Sequence, residues 1–451
     1  MSHHEPTNAD ARPKRLQGRP LRVAVLGHGA VGSQTVRALT DHNAALAAKI
    51  GAPVDIAGIA VRSPRSGVPG VDDRLFTQDA EALVTRGDVD VVVELMGGIE
   101  PARSLIVAAM ESGASVVSAN KALIAEDGVD LHRMAEKQGV DLAYEAAVAG
   151  AVPLLRPLRQ SLAGDRVLRL MGIVNGTTNF ILDRMTAFGG TFQAALSEAQ
   201  QLGYAEADPH ADVSGADAAA KMAILARLAF DTELAADEVH YEGIEHITAA
   251  DIAHAASNGS VIKLIGICDR TPDGVSARVH PMLLPAGHTL ASVRGSYNGI
   301  LVEAEAAGEL LFHGRGAGGP ATSSAVLGDL VEVGRNRVAG LTGAHQPPAA
   351  YLPVRTMEHV SNRHHLSMLV TDRPGVLSEI TAVFGRHGIS LATVRQEGLG
   401  AEAQLSVSTH LATDAALAAV LSELRSVDAV REITRSIRML SGTTPDKDAG
   451  R

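Results

Sequence analysis

The sequence predicts an α/β protein in three parts: a doubly wound parallel sheet over residues 20–153, an α+β domain over 154–342 and a ferredoxin-like domain over 363–440. Three observations predict it. Apolar runs of strand length alternate with helical stretches through 20–153, and a glycine turn joins the first strand to the first helix. After Pro153 the alternation gives way to clustered helices and then to consecutive β-like runs. Near the carboxyl end, six elements follow one another in the order β-α-β-β-α-β.

In order, residues 21–26 read as a strand, followed at once by Gly27-His28-Gly29-Ala30-Val31-Gly32 and a helical stretch over 33–50. Strands follow at 54–61 and 89–95, with a short helix at 79–85 between them. Helix 106–112, strand 115–118, helix 129–138 and strand 142–145 complete the alternation. Beyond Pro153 come a strand at 167–174 and helices at 180–185, 191–202 and 216–230. The β-like runs 260–269, 274–284 and 299–306 predict a mostly antiparallel sheet, and 323–333 returns as a helix after a glycine-rich turn. Residues 343–362, rich in Ala and Pro at their start, read as a linker. The last domain runs 366–371, 375–387, 390–396, 403–409, 415–426 and 430–437. The polar ends, 1–19 and 441–451, read as flexible tails.

Bulk composition excludes several classes of function. Hydrophobic residues make up 46% and charged residues 20%, a globular balance, and with 3% aromatics and no Trp the cores must be aliphatic. The net charge of −11 provides no basic footprint for nucleic acid. No apolar run reaches the roughly 18 residues of a membrane span, and no signal-like apolar segment opens the chain. A single cysteine, Cys268, excludes an internal disulfide and suits the cytoplasm. His3 and His4 read as part of a polar end rather than as metal ligands.

The chemistry concentrates in four places. Gly27, Gly29 and Gly32 form G-x-G-x-x-G between a strand and a helix. The first allows the tight turn, the second the approach of a pyrophosphate, and the third close helix packing, with phosphate held at the helix N-terminus. The second strand ends Ala60-Val61-Arg62-Ser63 with no acid, so Arg62 is either a clamp for a 2′-phosphate, favouring NADP over NAD, or a solvated arginine. Ser118-Ala119-Asn120-Lys121 lies past the carboxyl end of a parallel strand, where such sheets bind ligands, and Lys121 is either a ligand contact or a surface lysine. The run 203–212 packs Glu206, Asp208 and Asp212 closely together, and Asp217 and Lys221 follow four apart on one helical face. Read alone, that pair is a surface salt bridge. The apolar run around it argues for burial, where a lysine needs a partner or a task in proton transfer, and the carboxylates suit an ammonium-bearing substrate.

The runs 27–32, 118–122, 145–153, Asn175-Gly176-Thr177-Thr178-Asn179-Phe180-Ile181-Leu182, 203–221 and 314–329 together resemble the homoserine dehydrogenases. The resemblance implies a Rossmann-type domain, a substrate and dimerisation domain whose segment 314–335 returns to the cofactor cleft, and reduction of L-aspartate 4-semialdehyde to L-homoserine. It implies that Lys221 transfers the proton and that Lys121 stands beside the carbonyl and nicotinamide. Glu206 would hold the ammonium group, assisted by Asp212 and Asp217, with Thr178 and Gly203 in the same cleft. Ala30, Val31, Asn120, Gly203 and Gly319 join the glycines, Arg62 and Lys121 as the implied dinucleotide contacts. Glu145 and the carbonyls of Val148, Gly150 and Val152 resemble a monovalent-cation site for sodium, or an ordinary carbonyl loop. His28 and Arg315 depart from the family's usual apolar residue and proline.

Thr371-Asp372-Arg373-Pro374-Gly375-Val376-Leu377, with His387-Gly388-Ile389-Ser390, resembles an ACT regulatory domain. The resemblance implies feedback inhibition by threonine, or a pairing module with no ligand, and a homo-oligomer, dimer or tetramer. Two rivals remain. An acylating semialdehyde dehydrogenase needs a nucleophilic thiolate, and Cys268 sits in an apolar run. A non-catalytic amino-acid sensor would not need Lys121 and Lys221.

Overall fold

The computed structural model describes residue 16 and residues 18–343, 352–398 and 400–440. The first part of the chain forms β1 (Leu21–Leu26), α1 (Ala30–Asp41), α2 (Asn43–Ile50), β2 (Val54–Ala60), β3 (Phe76–Thr77), α3 (Ala80–Val84), β4 (Val91–Glu94), α4 (Ala102–Glu111), β5 (Ser115–Ser118), α5 (Lys121–Gln138) and β6 (Leu142–Ala143). The middle forms β7 (Val167–Ile173), α6 (Gly176–Phe188), α7 (Phe192–Gln201), α8 (His210–Val213), α9 (Ala216–Phe230), β8 (His240–Tyr241), α10 (Ala249–Ser257), β9 (Ser260–Thr271), β10 (Gly274–Pro285), β11 (Tyr297–Ala304), β12 (Gly308–Arg315) and α11 (Gly319–Ala339). The last part forms β13 (Ser361–Thr371), α12 (Val376–Arg386), β14 (Leu391–Gly398), β15 (Glu402–Thr409), β16 (Ala412–Thr413), α13 (Asp414–Leu424) and β17 (Val430–Met439).

Several elements differ from the sequence expectation for local reasons. The helical stretch 33–50 is two helices, broken at His42. α5 starts at Lys121 rather than 129, because the Asn120 side chain accepts from Leu123 N and caps it there. α10 was not expected; a capping box between Thr248 and Asp251 starts it. Leu16 and Arg19 do not belong to a flexible tail. Leu16 is buried in the first core, and Arg19 forms a bidentate pair with buried Asp90. The remainder of the expected amino-terminal tail, the tail 441–451 and linker residues 344–351 lie outside the described residues.

The chain divides into two compact units that interleave in sequence. Among the described residues, one comprises those within 1–170, 220–237 and 298–352, and the other those within 171–219, 238–297 and 353–451. The divisions pass through β7 and through α9.

The first unit holds a six-stranded parallel sheet in the order β3-β2-β1-β4-β5-β6. Its central strands are almost wholly buried and mostly apolar, as expected where helices cover both faces. The order reverses between β1 and β4, so the carboxyl ends of those strands open a crevice. α11 packs on α1, and Val326, Leu330 and Val333 join the sheet core. α9 enters this unit at Ala220, and Arg227 donates to the carbonyls of Ile124 and Ala125, tying α9 to α5.

The second unit holds the strand order β9-β10-β17-β13-β15-β14. β9 and β10 form a long antiparallel hairpin from Gly274↔Thr271 to Pro285↔Ser260. β13, β14, β15 and β17 make the antiparallel sheet of the β-α-β-β-α-β domain, with α12 and α13 packed on one face. β17 also pairs in parallel with β10, at Met282↔Arg438 and Leu283↔Met439. The terminal domain therefore extends the sheet of the β9–β10 hairpin. The described end of the expected linker packs as well: Arg355 N donates to Val275 O, and Val354 bridges Val275.

Candidate functional site

The first unit contributes the glycine turn between β1 and α1. Gly27 has φ 98, and a Cβ on it would lie 2.9 Å from Leu95 O, so the turn after β1 admits only glycine. A Cβ on Gly32 would fall 2.1 Å from Gly27 O, which locks helix against turn. Gly29 is different: nothing lies within 4 Å of a Cβ there, so the space above it is open. Gly29 also caps α1 without a side-chain bond, leaving Ala30 and Val31 in an uncapped first turn with no acidic residue. That geometry favours an anion. α11 likewise starts at Gly318 without a side-chain cap, and a Cβ on Gly319 would lie 2.6 Å from Ala30 O. Thr35 Oγ1 donates to Ser323 Oγ at 3.1 Å, so two uncapped helix starts are held side by side. The residues present fit a dinucleotide pyrophosphate.

Around this turn, Arg62 is exposed beyond the end of β2. His28 is buried edge-on against Phe76, and among the described residues neither ring nitrogen has a partner. Burial and nearby Arg65 lower its pKa, so it stays neutral and takes the place of an apolar residue. Glu94, which sequence reasoning missed, ends β4 fully buried; it accepts from Ser118 Oγ at 2.7 Å and Met96 N at 2.8 Å. The Asn120 side chain is committed to Leu123 N and to Gly98 O at 2.6 Å. Lys121 is the exposed first residue of α5. Lys221 is 9% exposed on α9, the helix that Arg227 ties to α5.

The run 145–152 was expected to hold a cation. Both carboxylate oxygens of Glu145 are already occupied: Oε1 accepts from Leu154 N at 2.6 Å and Leu155 N at 2.8 Å, and Oε2 accepts from Arg156 N at 2.8 Å. Its side chain caps a helix start, so the carboxylate is committed mainly to backbone N–H groups rather than turned outward to an ion. Ala149 and Gly150 both have positive φ, turning the chain sharply between the carbonyls of Val148 and Val152. Gly150 lies against Gly316 O, and Ala151 N donates to Arg315 O at 3.0 Å, so this loop is braced by the second glycine loop. A carbonyl set of this kind fits a hard monovalent ion. Among the described residues no group of three or more His, Cys, Asp or Glu side chains could hold a metal.

The second unit brings three of the expected substrate residues, Asp212, Asp217 and Thr178, together around one that was missed, Asn175. Its Nδ2 donates to Asp212 Oδ1 at 2.7 Å and to Asp217 Oδ2 at 2.9 Å, so one amide spans both carboxylates. Its Oδ1 accepts from Thr178 N and Thr178 Oγ1, capping α6. Thr178 is fully buried with its hydroxyl turned to Asn175. Thr177 Oγ1 donates to Tyr204 O at 2.7 Å and the Tyr204 ring rests on Phe180, which holds Gly203 (φ 74) beside the same helix start. Glu206 is exposed in the 203–209 turn, and among the described residues its side chain has no polar partner. The N-cap position of Asn175 before an apolar helix was the available signal for this node.

Cys268 is buried on β9, and burial pushes its thiol well above the ordinary value, so it is no nucleophile. The acylating alternative has no thiolate to rest on. Among the described residues no helix is long and apolar enough to cross a membrane.

Comparison with known proteins places this geometry. The family described as homoserine dehydrogenase matches residues 153–331, its NAD binding domain matches 27–145, and the ACT domain matches 364–429. The chain is similar to the homoserine dehydrogenase of Mycobacterium tuberculosis, 52% identical over 436 residues that cover 94% of this chain and 98% of that protein. It is 49% identical over 432 residues to the homoserine dehydrogenase of Corynebacterium glutamicum, covering 95% and 97%. Among solved structures, a homoserine dehydrogenase from Thiobacillus denitrificans superimposes with a TM-score of 0.87 at 36% identity, covering 94% and 99%.

Proposed function

Because the chain belongs to the homoserine dehydrogenase family of oxidoreductases, we propose that it interconverts L-aspartate 4-semialdehyde and L-homoserine, with NADP preferred to NAD. The observation that carries the residue assignment is the Asn175 node. By spanning Asp212 and Asp217 it holds two carboxylates together against their mutual repulsion, and Asp212 Oδ2 is left to receive the substrate ammonium. Glu206, exposed nearby in sequence, adds a third negative charge. Thr178 and Gly203 keep the node and its flanking turn in place.

The dinucleotide supplies or accepts the hydride. Lys221, buried one helical turn after Asp217, gives the carbonyl oxygen its proton in reduction and takes it from the hydroxyl in oxidation. Lys121 adds its charge to the positive N-terminus of α5 and stabilises the oxygen while it is negative. Gly27, Gly29, Gly32, Ala30, Val31 and Gly319 would hold the pyrophosphate, Asn120 shapes the start of α5, and Arg62 would hold the 2′-phosphate. The main-chain oxygens of Glu145, Val148, Gly150 and Val152 would hold sodium and brace the second glycine loop. The ACT domain takes an amino-acid effector, threonine in this reading, and the enzyme works as a cytoplasmic dimer or tetramer.

Oxidation of L-homoserine by purified protein, with NADP and NAD compared, tests this. Lys221→Ala is expected to lose kcat by roughly 10²–10⁴-fold with the homoserine KM largely kept. Absence of turnover in wild type with either cofactor, in folded protein that binds dinucleotide, would sink the proposal.

A further inference from the structure

Arg438 stands where the terminal domain meets β10 and Glu242, the residue that follows β8. β8 and β17 both pair in parallel with β10 on the same edge, β8 at Arg278 and Val279 and β17 at Met282 and Leu283. The Arg438 guanidinium, carried on β17, is largely buried and reaches Glu242, which directly follows β8. Its Nη1 donates to Glu242 Oε2 at 2.8 Å, while Nε and Nη2 donate to Asp414 Oδ2 at 3.0 and 2.5 Å. Glu242 is held from the other side by His240 Nε2 at 2.9 Å. Burial alone would raise the Glu242 carboxyl; the bonds from His240 and Arg438 outweigh it and hold it well below the usual range.

Glu242 begins a segment in backbone contact with the substrate side. Ile244 N donates to Val213 O at 2.9 Å. A Cβ on Gly243 would fall 2.3 Å from Val213 O and 2.7 Å from Ser214 Cα. Gly215 has φ 90, and a Cβ there would lie 3.1 Å from Glu242 O. Two glycines therefore let the 242–244 backbone touch the 213–215 turn with no side chain between them. That turn joins α8, with Asp212, to α9, with Asp217, and Gly215 N donates to Asp212 O. A displacement of the Glu242 backbone is passed on directly, because main chain pressed against main chain has no rotamer to absorb it.

We propose that Arg438 is a positioning residue for the substrate carboxylates, acting through Glu242 and the 213–215 turn, so that the last strand of the terminal domain sets affinity for the substrate ammonium. This rests on the assignment of Asp212 and Asp217 to the ammonium site. Asp414, the second partner of Arg438, lies on α13 of the terminal domain and does not touch the turn, which makes it the internal control.

Homoserine oxidation by the full-length protein is measured for Arg438→Met, Arg438→Lys, Glu242→Gln, Asp414→Asn and Asp212→Asn. Arg438→Met and Glu242→Gln are expected to raise the homoserine KM at least about fivefold with kcat within about twofold. Arg438→Lys should recover most of that loss, and Asp414→Asn should leave KM within about twofold. Unchanged KM in Arg438→Met and Glu242→Gln, with only melting temperature or kcat lowered, would overturn the proposal, as would an equal KM rise in Asp414→Asn. Should Arg438→Met not fold, Glu242→Gln keeps the side-chain volume and decides the question. Asp212→Asn separates the two ideas. If it leaves KM unchanged, the ammonium-site assignment fails; if it raises KM while Arg438 and Glu242 variants do not, only the positioning role fails.

Discussion

Lys263 is 2% exposed on β9, with Nζ donating to Asn179 Oδ1 and Val293 O at 2.8 Å each. The Asn179 amide in turn donates to Gly295 O and Tyr297 O, so this buried cation anchors the helix whose start carries Asn175. Burial lowers the Lys263 pKa from its ordinary 10.5 to about 8. The unfolded chain then binds the proton more tightly than the folded one, so stability rises with pH between about 8 and 10.5 and is flat below 8. The rise is expected to be roughly 3 kcal/mol at most. Denaturant unfolding across that window should show it in wild type and not in Lys263→Met. Parallel pH curves for the two proteins would contradict it.

α1 shows how one glycine motif divides its labour along an element. Gly32 presses the helix on Gly27 O, while Gly29, at φ −83, is conformationally ordinary and faces open space. Gly32→Ala is therefore expected to displace the helix, lowering both melting temperature and dinucleotide affinity. Gly29→Ala should fold with a melting temperature near wild type and lose dinucleotide affinity alone, because only a bound pyrophosphate would meet the new methyl group. Thermal melts and a fluorescence titration with NADPH check both. A Gly29→Ala protein that binds dinucleotide normally would mean the phosphates lie elsewhere.

At the scale of the whole molecule, the terminal domain is built into the second unit. Besides the β10–β17 pairing, Arg435 pairs with Asp251 at the start of α10, and His254 meets His365 through their Nε2 atoms at 2.7 Å. A chain ended at Leu352 would strip β10 of a neighbour and leave Asp251 and Glu242 without their arginines. We expect that truncation to aggregate or to melt well below the full chain, by size-exclusion chromatography and thermal unfolding. A soluble truncated enzyme with wild-type melting temperature would show the domain to be separable.

Much of this was legible from residues alone. The order and type of most elements, the glycine turn and the burial of Lys221 follow from apolar periodicity and turn chemistry, which neighbouring residues impose on the backbone. The grouping of Asp212 with Asp217 was legible too, from their proximity in sequence. What folding decided were pairings across long stretches of chain. Asn175 reaches Asp212 and Asp217 across 37 and 42 residues, and Glu145 spends its carboxylate on a helix start. Thr178 turns its hydroxyl to Asn175, and Glu206 stays exposed. β17 pairs with β10, so that Arg438 meets Glu242 across 196 residues. A carboxylate or an amide has the same local preferences whatever it later bonds. Its partner is chosen only when packing brings two distant elements together and a buried polar group must be satisfied.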